Sequence, residues 1–397
     1  MNEVLSFPFG KTQVLSGIQA SKHVAEYLES DNRKRVLVVT DQVLSGIESV
    51  QEFLRSLQDA GIETILYAGV TANPKDYEVM DGVKIYKEKQ CDVVLGIGGG
   101  SSLDTAKCIS AMVRHEGNIM DYGRSTPNRK YFTNGREMLV LVPTTSGTGS
   151  EISPHAVITN TKTGRKSDVQ ETLFYCDLVV LDAIFTFTMP EEITKDTGID
   201  ALTHLIDSYM NRKMLFNKSP FHDVVALEGI RLISENIRDA IKKGEGSEKA
   251  RENMMWAAMM GGFVLALDAC SIHGLAGMLQ KYRPKMTHGQ SVGIMMPACM
   301  RHNIPAFPER FQKIAEAMGV DTTGMKVVEA AEAGIEEIKK LLHDIHFKTM
   351  QDFNFTEEEI EGFYQAGADN SCMKNNPLLL SPQEVREIYL ETLKMCW

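Results

Sequence analysis

The chain is poor in the features that mark several common protein classes. It has no excess of positive charge: 42 Lys and Arg stand against 53 Asp and Glu, a formal net charge of −11. General nucleic-acid binding and docking on anionic membranes both need a broad basic surface, so neither is expected. A small basic pocket is still allowed. No CxxC pair occurs among the seven cysteines, Cys91, Cys108, Cys176, Cys270, Cys299, Cys372 and Cys396. An odd count without that spacing fits reduced, buried thiols of a cytosolic protein. No apolar run approaches the roughly 20 residues that a membrane helix needs. The opening MNEVLSFPFG has no basic segment followed by an apolar one, so no signal peptide is expected. There is no internal repeat and no low-complexity stretch. A cytoplasmic globular protein is the expectation, and 397 residues favour two domains over one.

The apolar and charged fractions are ordinary, and the pattern along the chain is more informative. RVLVVTD (35–41), ETILYAGV (63–70), CDVVLGIGGG (91–100), EMLVLVPTT (137–145), AVITN (156–160) and CDLVVLD (176–182) read as short strands. Helix-like segments lie between several of them, such as SVQEFLRSLQDAG (49–61) and DYEVMDGVKIYKEKQ (76–90). Near-continuous apolar strands alternating with amphipathic helices predict a parallel sheet covered on both faces. After about residue 188 the texture becomes helical, with PEEITKDTGIDALTHLIDSYM, SPFHDVVALEGIRLISENIRDAIKKG and SPQEVREIYLETLKM as examples. The reading is an α/β domain over 1–187 and an all-helical domain over 188–397, with the cleft between them as the default active-site location.

Two turns in the first domain suit an anionic ligand. GIGGGSSLDTAK (96–107) is a glycine-rich turn between an apolar strand and a helix, where backbone N–H groups can approach phosphates. Its spacing is neither GxGxxG nor a P-loop. PTTSGTGSE (143–151) is a polar turn after the next strand, and ligands gather outside the carboxyl ends of strands in such sheets. Asp41 ends RVLVVTD, where a carboxylate can hold a ribose and repel a 2′-phosphate, which favours NAD over NADP. A strand-end turn aspartate is the alternative.

The second domain carries a candidate metal set. Asp200 and His204 are four apart on a predicted helix, so one face presents both. His273 and His288 bracket SIHGLAGMLQKYRPKMTHG. One Asp and three His make an N3O set suited to Fe(II) or Zn(II).

Taken together, these motifs resemble those of the iron-containing, or group III, metal-dependent alcohol dehydrogenases. GIGGGSSLDTAK is similar to that family's GGGSxxDxAK, LVPTTSGTGSE to PTTxGTGSE, DTGIDALTHLIDSY to TGxDALxHxIExY, SPFHDVVALEGIRLI to SPxxDxxALxAIxLI, and THG at 287–289 to its final PHG. The resemblance runs from FPFGKTQVLSG to NPLLLSPQEV. It implies a Rossmann-like dinucleotide-binding domain followed by a helical metal domain, the architecture of dehydroquinate synthase. It implies metal ligation, and so catalysis, by Asp200, His204, His273 and His288. It implies cofactor binding by Asp41, Gly98, Gly99, Ser101, Asp104, Thr144, Thr145 and Lys166. The implied chemistry is hydride transfer between NAD, less so NADP, and a small alcohol or aldehyde, with Fe(II), or Zn(II) as alternative. A homodimer is implied, through the N-terminal strand segment.

Two departures bear on the substrate. The family reads HxxxHPLG, whereas Gly277 stands four after His273, and the 273-to-288 spacing of fifteen is one longer than the family's. The intervening Lys281, Arg283 and Lys285 raise the expectation of an anionic substrate tail, as in sulfoacetaldehyde, with Arg283 as the candidate contact. Competing readings are a metal-dependent lyase of the dehydroquinate-synthase type, a metal-free reductase of the maleylacetate type, and a non-catalytic NAD-binding homologue.

Overall fold

A computed structural model describes residues 11–217, 219–242, 247–265 and 269–397. The chain divides into two compact units. Residues 11–145 with Gly149–Met189 form one, and Ser146–Thr148 with Pro190–Trp397 form the other.

The first unit contains β1 (Gln13–Ser16), β2 (Arg35–Asp41), β3 (Glu63–Val70), β4 (Val93–Gly98), β5 (Met138–Pro143), β6 (His155–Asn160), β7 (Arg165–Gln170) and β8 (Leu178–Leu181). Its α-helices are α1 (Val24–Ser30), α2 (Glu48–Asp59), α3 (Asp76–Glu88) and α4 (Gly100–Met112). Six strands form one sheet in the order β1-β8-β5-β4-β2-β3, with every pairing parallel. The central strands β2, β4 and β5 are buried almost throughout, which is why their sequences read as unbroken apolar runs. The chain leaves β2 for β3 on one side and returns to β4 on the other. That reversal between neighbouring strands is where open α/β sheets take ligands. The carboxyl ends there are Asp41 and Gly98.

Three elements differ from expectation. AVITN is not a strand of the parallel sheet: β6 pairs antiparallel with β7 in a separate hairpin. Its alternation explains this, since Ala156 and Ile158 are fully buried while Val157 is exposed, the mark of a strand covered on one face only. The polar β7 (RKSDVQ) and the short β1 carried too little apolar signal to be read as strands. Residues 1–10 of the expected N-terminal pairing segment lie outside the described residues.

The second unit is helical: α5 (Glu191–Met210), α6 (Arg212–Asn217), α7 (Pro220–Ile241), α8 (Glu248–Leu265), α9 (Ser271–Tyr282), α10 (His288–Asn303), α11 (Pro308–Ala317), α12 (Val327–Asp344), α13 (Glu357–Ala368) and α14 (Pro382–Lys394). Helix α5 is its axis. It packs against α7, α8 and α10, and every residue from Gly198 to Met210 is buried. Polar residues in this stretch are therefore withdrawn from water whichever way they face. Among the described residues no helix is long and apolar enough to cross a membrane. All seven cysteines are free thiols, five of them buried.

Candidate functional site

Helix α5 brings Asp200 and His204 to one face, one turn apart, with side chains only about 6% exposed. The helix α9 supplies His273 from its first turn, and α10 supplies His288 as its first residue. One ligand atom from each of the four lies within 4.8 Å of all the others. Asp200 Oδ1 is 3.5 Å from His204 Nε2 and 3.6 Å from His288 Nε2. Two donors each about 2.1 Å from one tetrahedral ion sit about 3.4 Å apart, so this spacing fits a shared cation. The His204 and His273 rings stack at 5.0 Å between centroids.

Buried atoms without partners make the stronger case. Asp200 Oδ1, His204 Nδ1 and His273 Nε2 are buried and make no hydrogen bond. Leaving one such atom unsatisfied costs about 1–3 kcal/mol, more for a charged group. Asp200 Oδ1 and His273 Nε2 make sense if a cation completes them, whereas His204 faces Asp200 through Nε2 and its Nδ1 is not part of that set. The electrostatics agree: desolvation pushes the Asp200 carboxyl up, against the lowering influence of His288 and His273. Desolvation, then repulsion from His273, drives His204 down to about 3, which leaves its imidazole neutral and able to ligate.

Asp207, one helical turn past His204, was missed by motif reading. It is fully buried, and its Oδ2 accepts from His273 Nδ1 at 2.8 Å and from the backbone N–H of Cys270. That bond assigns the proton to Nδ1 and leaves Nε2 free for the cluster, the usual way a carboxylate orients a metal-binding histidine. Desolvation opposes protonation of His273, but the bond and charge of Asp207 outweigh it and raise the pKa. The signal was present: Asp200, His204 and Asp207 recur at i, i+4 and i+7, one buried stripe.

His288 is set by a different device. Thr287 caps α10, with a reciprocal bond pair to Gln290, and donates to Asp196 Oδ2 at 2.7 Å. A Cβ on Gly289 would overlap the Asp196 carbonyl oxygen. The glycine of THG thus permits α10 to start against the backbone of α5, which brings His288 to Asp200. Gly147 of the second turn motif is likewise in this unit, where a Cβ would meet Thr197 of α5 at 2.7 Å.

In the α/β unit, Gly98 ends β4 at φ +153°, and a Cβ there would strike Ser102. Gly99 caps α4, and Ser101 lies in its first turn. Thr144 donates its backbone N–H to Gly98 O at 3.0 Å, and Thr145 lies 3.5 Å from a Cβ built on Gly99. The two turns therefore adjoin at the ends of paired strands, with the N-terminus of a thirteen-residue helix between them. Asp41 Oδ1 accepts from the N–H groups of Val43 and Leu44. Lys166 lies on β7 opposite Thr159, exposed, with nearby protein desolvating its ammonium and lowering its pKa.

Two of the expected site residues already have partners within the protein. Asp104 does not present a free carboxylate: Oδ1 accepts from Ser150 at 2.6 Å and Oδ2 from Val157 N–H at 2.9 Å. It ties α4 to the hairpin, together with the fully buried Lys107, which donates to Ser150 and to His155 O. Arg283 does not reach for a substrate anion. Its five N–H donors go to Phe353 O, Tyr282 O, Asn354 O and both oxygens of Glu359, and its guanidinium lies over Phe355. It anchors the end of α9 to the start of α13.

Comparison with known proteins agrees with this geometry. Residues 11–183 match the family model for iron-containing alcohol dehydrogenase, and 194–393 match that for the C-terminal region of the same family. The chain is 34% identical to the choline dehydrogenase of Bacillus subtilis, over 95% of this chain and 92% of that protein. It is 32% identical to the 1,3-propanediol dehydrogenase of Citrobacter freundii, covering 94% and 95%. A crystal structure of 1,3-propanediol oxidoreductase superposes with a TM-score of 0.88 at 31% identity, covering 96% of this chain and 97% of that one. With a clustered Asp and three His in a helical unit and a glycine-rich turn at the switch point of a parallel sheet, this chain belongs to the iron-containing alcohol dehydrogenase family and is a metal-dependent, NAD(P)-linked oxidoreductase of alcohols and aldehydes.

Proposed function

We propose that Asp200, His204, His273 and His288 hold one divalent ion, iron in the first instance, and that the enzyme interconverts a short-chain alcohol and its aldehyde with NAD in preference to NADP. The observation that carries this is the convergence of four donors, two of which, Asp200 Oδ1 and His273 Nε2, are buried and unpartnered. A divalent ion bound there supplies Lewis acidity toward the substrate oxygen, and a nicotinamide supplies or accepts the hydride. The residues do the rest. Asp207 fixes the ring of His273, and the Thr287 cap fixes His288, so the donors are in place before anything binds. The backbone N–H groups opening α4 suit a pyrophosphate. The free Oδ2 of Asp41 suits a ribose diol and disfavours a 2′-phosphate. A homodimer is part of the proposal, on family resemblance.

The test is an NADH and NADPH oxidation screen with short aldehydes, on protein reconstituted separately with Fe(II), Zn(II) and Mn(II). Turnover that follows metal content, with NADH preferred, is expected. A metal-loaded protein that oxidises neither cofactor with any aldehyde overturns the reading and favours a lyase.

A further inference from the structure

Helix α9 carries His273, Gly277 and Lys281 at i, i+4 and i+8, so the three share one row along its surface. Gly277 is the unusual member. A glycine inside a helix costs stability relative to alanine, and such glycines are usually explained by crowding. Gly274 on the same helix is crowded: a Cβ there would press on Met373 Sδ at 3.2 Å and Cys372 Cβ at 3.3 Å. A Cβ on Gly277 would meet nothing within 4 Å. Gly277 is exposed and the protein's own packing does not require the glycine, so the surface there is open to a ligand.

The far end of the row has a charge. Lys281 is exposed and has no ion-pair partner among the described residues, whereas Arg283 two residues on is fully engaged. Side chains on a helix lean toward its N-terminus, which directs the Lys281 ammonium back over the turn of Gly277. Eight residues separate the Cα atoms of His273 and Lys281 by about 12 Å along the axis.

Resting on the proposed oxidoreductase reading, we propose that Gly277 and Lys281 determine specificity for aldehydes with an anionic tail. The reacting oxygen lies at the histidine end, the chain crosses the gap at Gly277, and Lys281 pairs with a terminal carboxylate or sulfonate. Roughly a four- or five-carbon chain fits that span.

The test compares kcat/KM for butanal, succinic semialdehyde, a sulfonated aldehyde of equal length and a trimethylammonium aldehyde, using metal-loaded wild type, Lys281→Gln, Lys281→Glu and Gly277→Leu. The wild type is expected to prefer the anionic pair over butanal. Lys281→Gln should cost about tenfold on the anionic pair alone, and Lys281→Glu should turn the preference toward the cation. Gly277→Leu should impair every four-carbon substrate and spare acetaldehyde. Calorimetric titration with 4-hydroxybutyrate adds a readout independent of turnover, and binding should weaken in Lys281→Gln. An anionic-to-neutral ratio unchanged in both Lys281 variants overturns the proposal while leaving the oxidoreductase reading intact. No turnover of any aldehyde overturns both.

Discussion

Buried charge is handled in opposite ways at two places, one in each unit. In the α/β unit, Lys107 is fully buried and meets Ser150, Ser153, the carbonyl of His155 and, at 3.5 Å, Asp104. Asp182, also fully buried, accepts from Ser21 and from the N–H of Gln19. These groups complete one another. In the helical unit, Asp200 and His273 are withdrawn from water yet keep an unpartnered atom in the four-residue cluster that His204 and His288 complete. A satisfied buried polar cluster is framework, while an unsatisfied one is a site whose last member arrives from solution.

That contrast can be broken or sharpened by substitution. The largest effect belongs to the open cluster: His273→Ala should abolish stoichiometric metal binding and lower turnover on the order of 10³-fold or more, read by elemental analysis and steady-state kinetics. Some stability should be lost as well, because the buried Asp207 carboxylate loses the bond from Nδ1 and keeps only backbone donors. In the closed cluster the reverse holds. Lys107→Met removes the buried donor to Ser150, Ser153 and the His155 carbonyl and the cation beside Asp104, and should destabilise the α/β unit by about 3–5 kcal/mol in denaturant titrations, without altering metal content. Asp207→Asn is intermediate. It keeps the shape but weakens the hold on His273, so metal affinity should fall about 10–100-fold, with partial recovery in Asp207→Glu. The smallest effect is at Gly277: with nothing near a new Cβ, Gly277→Ala should stabilise by about 0.5–1 kcal/mol. Destabilisation there would show that packing, not ligand room, explains the glycine.

Much of this was legible in the sequence for local reasons. The buried strands β2, β4 and β5 read as apolar runs, and DALTH placed two donors on one helical face. The four-residue cluster could be named because two of its members share α5 and the others open α9 and α10. What stayed hidden depends on partners distant in sequence. Arg283 looked like a substrate contact because its neighbours are basic, yet its fate is set by Phe353, Asn354 and Glu359, at least seventy residues away. The motif gave no hint that Asp104 also accepts from Ser150 and Val157, forty-six and fifty-three residues on. Asp207 escaped notice because its role depends on His273, sixty-six residues downstream.

The central claim is that the orphaned donors are completed by one cation. The most direct measurement is titration of metal-free protein with Co(II), followed by its visible absorption, for the wild type and for Asp200→Asn/His273→Ala. One equivalent bound tightly, with a spectrum of nitrogen and oxygen ligation that disappears in the double variant, is the predicted result. Equal binding by both proteins would contradict it.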